Sequence, residues 1–121
     1  VRNNVVRGWF YNIATNGDNN VIRDNQLGYW LGSCGCSGVR LMWGADGNSV
    51  VDNLILKTDQ EGIRDAGLAY FMADVNTFRN VIRDNTAMLP VRWSAFDGSG
   101  GCLNNVWLDN TFATRDPECI Q

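Results

Sequence analysis

Histidine is absent from this chain of 121 residues. That removes the imidazole base, the Ser-His-Asp triad and every His-ligated metal site. Lysine is almost missing, since all basic residues except Lys57 are Arg. No basic run occurs and the net charge is −3, so the dense cationic surface of a nucleic-acid binder is not expected. No apolar stretch approaches the ~20 residues of a membrane-spanning helix, so membrane insertion is not expected either. The start of the chain has no signal-peptide pattern. It opens on Val1 rather than Met, as a processed protein or a piece of a longer one would. The length sets a ceiling of one domain, taken as 1–121.

Asparagine and glycine are abundant, and asparagine recurs in a fixed setting. Four segments read Asn20-Val21-Ile22-Arg23-Asp24-Asn25, Asn48-Ser49-Val50-Val51-Asp52-Asn53, Asn80-Val81-Ile82-Arg83-Asp84-Asn85 and Asn105-Val106-Trp107-Leu108-Asp109-Asn110. A degenerate fifth copy is placed at Asn4-Val5-Val6-Arg7-Gly8-Trp9. The final Asn of the good copies advances by 28, 32 and 25 residues. An apolar residue stands three before it (Ile22, Val50, Ile82, Trp107) and another two after it (Leu27, Ile55, Ala87, Phe112).

Each copy reads as a short strand, a bend at the Asn and a second strand. Asn tolerates the left-handed backbone that a bend requires. Stacked at one place in successive coils, the amides of Asn25, Asn53, Asn85 and Asn110 would bond to one another as a ladder. The flanking apolar residues would fill a continuous core. A further strand is expected in mid-coil at Gly38-Val39-Arg40, Gly62-Ile63-Arg64 and Pro90-Val91-Arg92. The expected fold is all-β: a right-handed parallel β-helix of four to five coils. The pattern Asn-x-Ile-x-x-Asn-x-Ile resembles the β-helix repeat of pectin-lyase-like proteins over residues 4 to 113. That resemblance implies polysaccharide as partner, and lyase-like or glycosidase-like chemistry if the chain is an enzyme.

Three groups are candidates for function. In the mid-coil register Arg40, Arg64 and Arg92 form an outward column, ~4.8 Å apart per rung. Such a column would grip the carboxylates of a uronan or pair with the chain's own Asp residues. Asp18, Asp46, Asp74 and Asp97 close the mid-coil strands. Stacked carboxylates of this kind would cap turns, hold Ca²⁺ or serve as an acid–base pair on a sugar. Tyr29, Trp30 and Trp43 are the aromatics best placed to be exposed platforms for a sugar face. No other cofactor is implied.

Four cysteines in so short a chain point to an oxidising compartment, hence to the cell exterior or surface. Cys102 and Cys119 fall on neighbouring coils and are the easier disulfide pair. Cys34 and Cys36 sit in a glycine-rich loop whose flexibility leaves either of them open as a partner for Cys102 or Cys119. No amphipathic helix covers either end of the repeat, and bare strand edges invite stacking on another copy. The sequence therefore supports two functions: a secreted β-helix binding acidic or neutral polysaccharide along an Arg and aromatic face, or a structural or adhesive subunit assembling end to end as a homo-oligomer.

Overall fold

The computed structural model describes residues 1–7, 11–28, 37–55, 71–87, 95–100 and 102–121. Among these the chain is all-β, without helix, and its strands lie in three parallel sheets. The first sheet joins β1 (Val5–Arg7), β4 (Gln26–Gly28), β7 (Leu54–Ile55), β10 (Thr86–Ala87) and β13 (Thr111–Phe112). The second joins β2 (Tyr11–Thr15), β5 (Ser37–Leu41), β8 (Phe71–Ala73), β11 (Ala95–Asp97) and β14 (Arg115–Asp116). The third joins β3 (Val21–Arg23), β6 (Ser49–Val51), β9 (Val81–Arg83) and β12 (Val106–Leu108). The chain visits first, second and third sheet in turn and then returns to the first, one strand further on.

The repeat explains this pairing. Ile22, Val50, Ile82 and Trp107 are direct neighbours across the third sheet, and all are buried. Ile13, Val39, Phe71 and Ala95 do the same across the second. Strand side chains alternate between faces, so one inward residue per three-residue strand suffices to build the core. Phe112 of the first sheet meets Phe71 of the second at 5.4 Å and Trp107 of the third, edge-on, at 6.2 Å between ring centroids. The three sheets thus share one interior.

Two asparagine ladders flank the third sheet. The expected one runs Asn25, Asn53, Asn85, Asn110. Each side-chain Nδ2 donates to the next Oδ1 at 2.9–3.0 Å, and that Oδ1 also accepts from the main-chain N–H of the same donor residue. A second ladder, not anticipated, runs through the first Asn of each copy: Asn20, Asn48, Asn80, Asn105. Its signal was in the sequence, since every copy both begins and ends with Asn.

The left-handed residue at the bend is not the ladder Asn but its predecessor. Asn3, Asp24, Asp52, Asp84 and Asp109 have φ between 52° and 57°. This turns the following Asn amide inward, where burial makes its pairing obligatory. The expected fifth copy is also displaced. Val5 pairs with Gln26, and the Asn4 side chain bonds to Asn25, so Asn4 occupies the last position of the motif rather than the first.

At the far end the chain folds across the core. Ile120 is fully buried within the hydrophobic cluster, and Asn110 Nδ2 donates to the carbonyl of Gln121 at 2.6 Å. Cys102 and Cys119, the pair expected from coil spacing, form a disulfide with 6.3 Å between Cα atoms. Cys34 and Cys36 lie outside the described residues.

Candidate functional site

The connection from the second to the third sheet has the same build on two successive circuits. Gly44 and Asn76 both take positive φ, as do Gly47 and Arg79, and Ala45 and Thr77 both turn inward and are buried. A parallel bridge joins Asp46 to Phe78, and Gly44 N–H donates to Asn76 O at 3.2 Å. The turn conformation therefore fixes which side chains face out at equal places: Trp43 above Val75, and Asp46 above Phe78.

That edge is apolar where a solvent-facing turn would ordinarily be polar. Trp43 is 71% exposed, Val75 48% and Phe78 41%, while Leu103 in the corresponding connection of the next circuit is 89% exposed. Charged groups sit among them. Arg79 forms an ion pair with Asp46, which draws the Asp46 carboxyl below the ordinary aspartate range and raises Arg79. The hydrogen bond from Arg79 is the main cause for Asp46, and partial loss of solvent opposes it. Asp18 accepts the main-chain N–H of Asp46 at 3.1 Å and adds to the field on Arg79. Trp43 thus stands on an amphipathic strip.

The expected Arg column does not form around Arg40. Its neighbours across the second sheet are Ala14 and Met72, not Arg64. Val39 and Phe71 pair at the same distance from the next Asn, each preceding it by nine residues (Asn48 and Asn80). Between these two circuits the length variation falls in the connection before the second sheet. Aligning Gly62-Ile63-Arg64 and Pro90-Val91-Arg92 with Gly38-Val39-Arg40 therefore chose the wrong segments, and β8 and β11 take those places. Arg64, Arg92, Tyr29 and Trp30 lie outside the described residues. Arg40 itself is held by Asp74: its Nε is 3.1 Å from both carboxylate oxygens and a terminal nitrogen is 3.0 Å from one.

The four expected acids are likewise not one column. Asp18 and Asp46 are adjacent on the turn edge. Asp74 lies on β5's flank as the partner of Arg40. Asp97 aligns with Ala73, an inward position, and is buried. There it accepts from Trp107 Nε1 at 2.6 Å, from Ser99 N at 2.8 Å and from Ser99 Oγ at 2.5 Å. Alternation across the strand decides this: Asp97 falls in the inward set and its charge is met by hydrogen bonds. Among the described residues no three acidic or thiol groups converge as metal ligands would. A true acidic row exists elsewhere, at the left-handed bends: Asp24, Asp52, Asp84 and Asp109. Arg23 and Arg83 form ion pairs with Asp24 and Asp84.

No family model, curated protein or solved structure matches this chain. Its own residues alone carry the functional reading. Of the substrate-binding candidates among the described residues, Arg40 and Trp43, Trp43 is the one placed on an open surface. Its companions Val75, Phe78 and Leu103 were not anticipated, although apolar residues inside turn sequences were a visible sign.

Proposed function

We propose that the chain is a right-handed parallel β-helix, secreted, that binds polysaccharide along the Trp43 edge. The cyclic order of the three sheets supports the helix, and parallel crossovers are overwhelmingly right-handed because right-twisted strands pack back only that way. The Cys102–Cys119 disulfide supports an oxidising exterior location. The observation that carries the function is the exposed indole of Trp43 beside the Asp46–Arg79 pair. An aromatic face covers the C–H face of a sugar, and flanking charged groups bond its hydroxyls. Affinity electrophoresis through gels containing neutral or acidic polysaccharides tests this. Retardation that Trp43→Ala abolishes is expected; free migration of the wild type in every gel would refute it.

A second reading, end-to-end assembly, draws on the strands that end each sheet. β1 and β2 are outermost among the described strands of their sheets, and open strand edges template association, whereas β3 is already paired by residues 1–3 through the Arg2–Arg23 bridge. The opposite end carries buried Ile120 and the Asn110–Gln121 bond, so stacking there is obstructed. Light scattering across a concentration series distinguishes the readings: growing assemblies favour this one, and a constant monomer mass removes it.

A further inference from the structure

We infer that the polysaccharide taken by the Trp43 edge is uncharged rather than a polyuronate. This rests on the reading of that edge as a sugar-binding surface. A polyanion is held best by guanidinium groups not already matched to a carboxylate, because bidentate N–H pairs and uncompensated positive charge are what recognise it.

Among the described residues, the edge offers no guanidinium that lacks a carboxylate partner. Arg79 is engaged by Asp46 and lies within the field of Asp18 as well. Arg40, at the root of the same connection, turns Nε and a terminal nitrogen onto Asp74. Among the described residues, three carboxylates thus answer two guanidinium groups, giving these groups a surplus of negative charge. A uronan brought to it would meet like charge and would have to displace ion pairs already made. A neutral sugar meets neither cost. Its apolar face lies on Trp43 and Val75, which follow each other at the rung spacing of ~4.8 Å. Its hydroxyls donate to the carboxylate of Asp46 or Asp18, acceptors suited to such donors.

Affinity electrophoresis in parallel gels tests the preference, one series containing a neutral β-glucan or galactomannan and the other polygalacturonate or alginate. Wild type, Trp43→Ala and Asp46→Asn are compared at low and high salt. Affinity for a neutral gel is expected to exceed that for the polyuronates by roughly tenfold or more, with little salt dependence. Trp43→Ala abolishes it while the melting temperature stays unchanged, because the indole is mostly in solvent. Asp46→Asn releases Arg79 and should raise polyuronate retardation. Stronger, salt-sensitive retardation of the wild type by polyuronate would overturn the inference and leave the sugar-binding reading standing. An unchanged polyuronate affinity in Asp46→Asn would also overturn it. Free migration in every gel would refute both.

Discussion

Asn53 donates its Nδ2 to Asn85 Oδ1 at 3.0 Å, while its own Oδ1 accepts both the main-chain N–H and the Nδ2 of Asn25. The same Nδ2 reaches back to the carbonyl of Ile22. The residue is 1% exposed, so no solvent replaces these bonds. Asn53→Ala strands two donors on Asn25 and empties the position. An unsatisfied buried group costs about 1–3 kcal/mol, so a loss of about 3–5 kcal/mol in urea unfolding is expected. Asn4→Ala, at the exposed start of the ladder, should cost less than about 1 kcal/mol. Equal effects at the two sites would contradict the burial argument.

Arg40 is expected to matter for stability and not for sugar binding. Asp74 is buried, and Arg40→Ala would leave its carboxylate without the two-point contact it now has. Removing one partner of a largely buried pair should cost about 2–4 kcal/mol. Arg40→Ala should therefore lower the denaturation midpoint while leaving retardation in neutral polysaccharide gels intact. A loss of binding with unchanged stability would instead make Arg40 a ligand contact.

Reduction should loosen the far end of the core. The Cys102–Cys119 bridge spans 17 residues and holds the segment that carries Ile120 into the cluster. Loop-closure entropy for a span of this size gives about 3 kcal/mol. The Cys102→Ser/Cys119→Ser protein should unfold at correspondingly lower denaturant, and hydrogen exchange should show Ile120 N–H losing protection before the ladder amides. Uniform loss of protection along the chain would argue that the end is not a separate unit.

Asp46 provides a pH test. Folding lowers its pKa and so favours the ionised form, because Arg79 donates to the carboxylate. Its contribution is thus fully present above the ordinary aspartate value of about 3.9 and is lost as pH falls through the lower folded value. The melting-temperature gap between wild type and Asp46→Asn should be small and constant from about pH 5 to 8, and should close in more acid solution. A gap that widens on acidification would reverse the assignment.

The ladder and its core were legible because each position repeats one chemistry: Asn at the bend, β-branched or aromatic three residues earlier. Two details were not. The left-handed residue proved to be Asp24 and its equivalents, because the bend must come before the amide for the amide to point inward. The mid-coil strand is expected on similar local sequence, Gly-Ile-Arg at 62–64, but Phe71 takes the place beside Val39, and the distance back from the next Asn varies from circuit to circuit.

The sequence by itself determined the repeat, the all-β class and the Asn25–Asn110 ladder, since each follows from residues recurring at coil-length intervals; Cys102–Cys119 was only the easier of the pairings it allowed. Only the tertiary structure decided what lies beside what across the second sheet, where connection length varies and no ladder residue marks the register. It divided the four acids between a surface edge, an ion pair and the interior, because a one-residue shift along a strand exchanges inside for outside. It also set Trp43, Val75 and Phe78 on one open edge: apolar residues in turns hinted at exposure, but which of them stack together depends on which circuits lie side by side.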